Sequence, residues 1–351
     1  MKLKYFKSLD GLRTIAAFMV IIAHFFSPSR MGGSGWVTQI AKFGNSGVSL
    51  FFVLSGFVIT RILINSVNNH NYFMTFYIRR ILRIFPLYYS ALLCYYYLPF
   101  LLKSLYHFSL SFSHTFYYFT YLQNFARTFN WKSSGPLHFW SLAVEEHFYL
   151  LWPAVVLFAY RYKKVSLWKI ALLLVLASFL LRYLMLAKGY YTELFTFTRL
   201  DQLVLGGMLA ILERKGLLEM KYKHIYFLSI VIGGISFIAC IGLPGLYQGM
   251  FKHNALGLLY FGVIGSCVIS EDKGNITGFL KLGFMQYLGM ISYGIYVWHA
   301  LAVNVVDKYF LTKNLLIDLV MVFMLTISIA SFSYWILEKP FLNLKKYFIY
   351  A

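Results

Sequence analysis

Apolar runs of about twenty residues recur along the whole chain, separated by short interruptions rich in Gly, Pro, Lys and Arg. A helix needs about twenty such residues to cross a bilayer core. The pattern predicts spans near 10–28, 45–64, 84–102, 141–160, 167–187, 197–213, 224–243, 252–270, 285–306 and 315–337. An aromatic stretch at 114–125, HTFYYFTYLQNF, is an eleventh candidate but short. The longest loop lies at roughly 103–140, and neither an internal repeat nor a low-complexity tract interrupts the chain. The expectation is an all-α integral membrane protein, a bundle of about ten transmembrane helices forming one domain over 1–351. Function must then reside in the bundle and its short loops.

Composition agrees. Hydrophobic residues make up 60% and charged ones 13%, against about 25% charged in soluble domains, and the mean hydropathy is +0.66. A net charge of +20 suggests nucleic acid at first sight. The basic residues, however, cluster beside apolar spans, so no nucleic acid partner is expected and the positive-inside bias accounts for them. With the N-terminus cytoplasmic and 114–125 not crossing, twenty Lys/Arg fall inside, nine outside and three within spans. Were 114–125 to cross, the RYKK run at 161–164 would move outside. Both termini are therefore expected in the cytoplasm. The first eighteen residues are basic and then apolar, like a signal peptide, but no small-residue cleavage site follows His24, which favours a retained span. Cys94, Cys240 and Cys267 sit in apolar stretches without metal-like spacing and receive no role.

Ionisable residues inside spans are costly and face a bundle interior or cavity. Arg13 and His24 share one face of the first span, because eleven residues at 100° come within about 20° of whole turns. They stand about 16 Å apart along the axis. Snorkelling explains Arg13 alone, and a packing role explains His24 alone; together they point toward a polar channel. Gly47, Ser49, Ser55 and Gly56 give the second span small residues for close helix approach. Arg79, Arg80 and Arg83 precede the third span, as a membrane anchor or as a grip on an anionic group. Glu145 and Glu146 open an apolar helix. Ser141 with Glu145 resembles an N-capping arrangement, while the alternative is a carboxylate that pairs with His24 or holds a sugar hydroxyl. Arg199, Asp201 and His299 are further intramembrane polar residues, read with Glu146 as substrate-binding candidates. Pro340, in Glu338-Lys339-Pro340, is expected to end the last span.

The segments LDGLRTIAAFMVIIAH, GVSLFFVLSGFVIT, RRILRIFP, WSLAVEEHFYLLWP, SYGIYVWHA and EKPF follow one another in that order. This ordered set resembles the acyltransferase-3 family, polytopic bacterial membrane enzymes that acylate surface polysaccharides. The resemblance covers essentially the whole chain. It implies a multi-pass protein of the bacterial cytoplasmic membrane that moves an acyl group, chiefly acetyl, from acetyl-CoA to a glycan hydroxyl of O-antigen, exopolysaccharide or capsule. It implies catalytic roles for Arg13, His24 and Glu145, and donor binding by the Arg-x-x-Arg pattern at Arg80 and Arg83, with Arg79 beside them. Where the family often has Asp before LFF, this chain has Ser49. The absence of an appended esterase-like domain resembles the stand-alone class. The implied partners are acyl-CoA, the glycan acceptor and membrane lipid; no metal is expected, and self-association is left open.

Charge and geometry suggest a division of labour. The arginines lie on the expected cytoplasmic side, where acyl-CoA phosphates are held. A pantetheine arm reaches on the order of 15–20 Å, comparable with the helix rise from Arg13 to His24. His24 then serves as general base or, alternatively, carries the acyl group. A transporter or flippase of glycan or lipid substrates is the competing expectation, since it also buries arginines and carboxylates in a bundle.

Overall fold

The computed structural model describes residues 3–27, 30, 43–102, 108, 111–162, 166–272, 275–312 and 314–350. Of the basic residues in the orientation argument, Lys2, Lys42, Lys103, Lys163, Lys164, Lys273 and Lys313 lie outside the described residues.

The apolar runs become helices: α1 (Lys7–Phe25), α2 (Ser46–Ser66), α3 (Tyr72–Leu102), the short α4 (Phe112–Phe119) and α5 (Gln123–Thr128), then α6 (Trp140–Arg161) and α7 (Leu167–Ala187). They continue with α8 (Thr196–Arg214), α9 (Lys223–Ile241), α10 (Gly245–Ile269), α11 (Asn275–Leu280), α12 (Gly283–Met290), α13 (Ser292–Tyr309), α14 (Leu315–Ser333) and α15 (Lys339–Asn343). Among the described residues, eight helices are long and apolar enough to cross a membrane, and α12 with α13 makes a ninth as a bent pair. The tenth predicted span, α8, is a nineteen-residue helix carrying Arg199, Asp201, Glu213 and Arg214. Those charges make it less apolar than the other spans without removing it from the bundle. The chain is a multi-pass, all-helical membrane protein.

Three local expectations change. The stretch at 285–306 is broken at Ile291, where α12 and α13 meet at 73°. No proline marks the bend, but Gly289 does mark a close approach: a Cβ there would stand 2.1 Å from the Asp10 carbonyl oxygen, so only glycine lets α12 press on α1. The third span starts earlier than expected, so Arg79, Arg80 and Arg83 are helical residues of α3. Pro340 does not stop the last helix. A π-helical turn at Tyr334–Glu338 shifts the hydrogen-bond register, and Pro340 then sits in the first turn of α15, where its missing N–H costs nothing. The aromatic stretch at 114–125 forms only α4 and part of α5. Eight residues of helix rise about 12 Å, short of the roughly 30 Å core.

Burial separates centre from periphery. Most of α2 is buried, whereas most of α7, α9 and α14 is not. The latter present Leu173, Ile238 and Phe332 outward, as lipid-facing helices do. Small residues let the centre close. Gly56 of α2 faces the Leu203 carbonyl of α8, and Gly206 of α8 faces the Val53 carbonyl of α2, both closer than any Cβ allows.

Candidate active site

Five central segments surround a cavity of about 670 Å³. From α1 come Asp10 and Arg13, from α2 Phe51, Phe52 and Ser55, and from α3 Arg80 and Arg83. Ser141, Glu145, Glu146 and Tyr149 of α6 form one wall, and Met290, Tyr293 and Tyr296 at the α12–α13 bend form another. The break at Ile291 therefore has a consequence: it turns α13 aside and leaves the space that the arginines of α3 enter. Arg83 Nη2 donates to the carbonyl of Met290 there, at 3.5 Å.

The cavity's ionisable groups are held differently. Asp10 accepts from Arg13 Nη1 at 2.5 Å and from the Tyr5 hydroxyl, which fixes the guanidinium one turn into α1. Glu145 accepts from Ser55 Oγ at 2.6 Å and from the Tyr149 hydroxyl at 3.2 Å. The N-cap expectation is overturned. The α6 N-cap makes no side-chain hydrogen bond, and Ser141 Oγ is engaged with the Tyr296 hydroxyl at 2.5 Å and the His138 carbonyl at 3.3 Å. Glu145 lies in the second turn, facing Ser55 and Tyr149 in the cavity. Its neighbour Glu146 leaves Oε1 buried without a partner among the described residues. Arg80 lies near the Phe76 and Tyr149 rings, and its Nε is buried and unpartnered among the described residues. Arg79 is turned away: its Nη1 donates to the carbonyls of Lys345 and Phe348, and it is absent from the lining.

His24 is on the same continuous helix as Arg13 but outside the cavity. Its Nδ1 lies 2.9 Å from the Val20 carbonyl. A carbonyl only accepts, so Nδ1 carries the hydrogen and Nε2 keeps its lone pair. The ring meets that of His299 edge to face at 4.7 Å, and His299 meets His138 at 4.9 Å. His299 Nδ1 donates to the Tyr296 carbonyl at 2.6 Å, and His138 Nε2 to the Val297 carbonyl at 3.1 Å. His299 Nε2 is buried without a partner among the described residues. The open polar channel expected between Arg13 and His24 is instead divided. Tyr296 lines the cavity on one side and touches His138 and His299 on the other, at ring distances of 5.9 and 5.6 Å. His138 was not among the sequence candidates, although GPLHFWSL contains it. It sits in the turn at Leu137–Phe139, just ahead of the span expected at 141–160, so the sequence argument from membrane depth did not reach it.

Arg199 and Asp201 also lie outside the lining. Asp201 pairs with Arg182 at 2.6 Å, both side chains fully buried, and Arg182 further binds Asn254 and the carbonyls of Thr198 and Met250. Arg199 Nη1 approaches His253 at 2.7 Å, and Glu193 meets His253 at 3.1 Å and Lys252 at 2.8 Å. Burial alone raises Glu193, but His253, Lys252 and Arg199 outweigh it and hold the carboxyl well below its usual range. This network ties α7, α8 and α10 together.

Fold and cavity define a multi-pass helical membrane protein with an ionisable interior. Residues 6–338 match the family model described as an acyltransferase domain, so the chain belongs to the acyltransferase family and is an enzyme of that class. It is 30% identical to a peptidoglycan O-acetyltransferase of Listeria monocytogenes, over 84% of this chain and 49% of that protein. A Staphylococcus aureus protein provisionally named an O-acetyltransferase is 28% identical over 97% of this chain and 58% of its own length. A Bacillus subtilis protein provisionally named a peptidoglycan O-acetyltransferase is 29% identical over 96% of this chain and 55% of its own. The chain thus spans about half the length of the curated relatives it matches. No solved structure matches it.

Proposed function

We propose that the chain is a membrane O-acetyltransferase that takes an acetyl group from acetyl-CoA on the cytoplasmic side and delivers it to a hydroxyl of a cell-envelope glycan on the other. The observation that carries this reading is the placement, along α1, of a cavity holding Arg80 and Arg83, without an ion pair among the described residues, at one end and of His24, whose Nδ1 bonds Val20 and leaves the Nε2 lone pair, at the other. The cavity suits the donor: a thioester arm fits its aromatic and aliphatic walls, while Arg80 and Arg83 offer guanidiniums to phosphate oxygens. Arg13, oriented by Asp10, and Glu145, held by Ser55 and Tyr149, face the thioester end.

In this reading His24 Nε2 accepts the proton of the acceptor hydroxyl as its oxygen attacks the thioester carbonyl, and the thiolate leaves toward the cavity. The Val20 carbonyl stabilises the resulting imidazolium by keeping its hydrogen bond from Nδ1. For the thioester to reach His24, the Ser141–Tyr296 hydrogen bond has to part. Glu146, whose Oε1 is unpartnered among the described residues, lines the cavity, His299 backs the His24 ring, and Arg199 and Asp201 serve by holding α8 in place. The relatives' names favour peptidoglycan as the first acceptor to try, ahead of O-antigen, exopolysaccharide and capsule.

Purified protein in liposomes, given labelled acetyl-CoA and peptidoglycan fragments, should release CoA and label the glycan. A transporter or flippase would do neither.

A further inference from the structure

After α15 the chain turns back across α3. Arg79 Nη1 donates to the carbonyls of Lys345 at 3.0 Å and Phe348 at 2.7 Å. Thr75 Oγ1, one turn before Arg79, and Asn71 Nδ2, just ahead of α3, donate to the Ile349 carbonyl at 3.4 and 2.8 Å. One face of α3 thus fastens the backbone of 345–349, and the fastened segment carries Lys345 onto the lining of the cavity beside Arg80 and Arg83.

None of Arg80, Arg83 and Lys345 forms an ion pair among the described residues. The charges acting on Lys345 are those of Arg80, Arg83 and Arg79, all of its own sign. The carboxylates nearby offset that repulsion only from a distance, Glu146 on Arg80 and Glu338 on Arg83. Asp10 is taken by Arg13 and Tyr5, and Glu145 by Ser55 and Tyr149; Glu146 and, near Arg83, Glu338 have unpartnered oxygens but make no ion pair among the described residues. Three like charges gathered at one rim repel one another. An anion with several oxygens offsets that repulsion, with guanidiniums binding in a plane and a compact ammonium adding a point charge.

We propose that Lys345 is a third phosphate ligand of this cavity, serving the phosphate groups of a CoA thioester, and that Arg79 is the positioning residue that latches its segment in place. The inference rests on the donor reading above. Neighbouring arginines of α3 then have different roles, with Arg80 and Arg83 meeting the ligand while Arg79 holds the strap.

The test uses the intact chain in nanodiscs of neutral lipid, with CoA and phosphate-free pantetheine as calorimetric probes. Wild type should prefer CoA. Lys345→Met should weaken CoA binding about tenfold and leave pantetheine unchanged, and Lys345→Arg should recover most of the loss. Arg79→Gln should reproduce the loss and speed amide hydrogen exchange over 344–350. Wild type showing no preference for CoA overturns the donor reading itself. If wild type does prefer CoA but K345M matches it at unchanged melting temperature, only the assignment of Lys345 falls. Repeating the series in discs containing phosphatidylglycerol separates the sources of phosphate: K345M losing anionic lipid while keeping CoA affinity overturns the proposal in favour of a headgroup site.

Discussion

The imidazole rings of His24 and His299 meet edge to face at 4.7 Å, although 275 positions of sequence separate them. His24 is half-buried near the end of α1, whereas His299 is fully buried on α13 and leaves Nε2 without a partner among the described residues. A second imidazole packed edge to face against the candidate base holds the plane of its ring. His299→Ala should therefore lower kcat about tenfold while leaving CoA affinity unchanged. A kcat equal to that of wild type would show that His24 keeps its orientation without it.

Glu145 and Ser55 give a second expectation, because the carboxylate is held by two hydroxyls rather than by an arginine. Glu145→Gln removes the charge and should cost about a hundredfold or more in kcat. Ser55→Ala removes one of two donors and should cost several-fold. The double variant should be no worse than Glu145→Gln alone, since the serine acts through the carboxylate. Additive losses would show that Ser55 works elsewhere.

Tyr296 separates the cavity from the histidines through its hydroxyl, which bonds Ser141 at 2.5 Å and the His138 carbonyl at 2.8 Å. Tyr296→Phe removes both bonds and keeps the ring. Release of CoA without acceptor should then rise several-fold as water reaches the thioester through the passage that the hydroxyl otherwise closes. Unchanged acceptor-free release in Tyr296→Phe would remove the hydroxyl from the barrier.

Glu193 lies in the loop before α8, outside the membrane-spanning helices. Because its folded pKa is depressed, the stability it contributes is complete above the ordinary carboxyl range of about 4.3 and is lost as pH falls through the lower folded value. Glu193→Gln should thus lower the melting temperature at pH 7, by on the order of 1–3 kcal/mol in stability. The deficit should shrink as the pH approaches the folded value. A deficit constant from pH 7 to pH 3 would contradict a charge-based origin.

The spans were legible because a bilayer forces long apolar runs, and α8 was found despite Arg199 and Asp201 because its apolar stripe persists. Arg13 and Glu145 were legible because a charge in an apolar run is costly, and Arg80 and Arg83 because a basic cluster beside a span suits an anionic group; all four line the cavity. The pairing of residues across the bundle was not. Nothing in the sequence couples Asp201 to Arg182 or Glu145 to Ser55, since both contacts depend on helix packing. The bend at Ile291 was hidden because neither proline nor charge marks it. His138 and Lys345 escaped because they lie outside apolar runs, in a turn before α6 and a segment after α15.

The central claim, that His24 performs the transfer while a separate cavity holds the donor, meets its most direct test in one variant measured twice. His24→Ala should bind CoA with wild-type affinity yet lose transfer of labelled acetyl to peptidoglycan fragments by about a thousandfold. Wild-type transfer by a folded His24→Ala protein would contradict that claim.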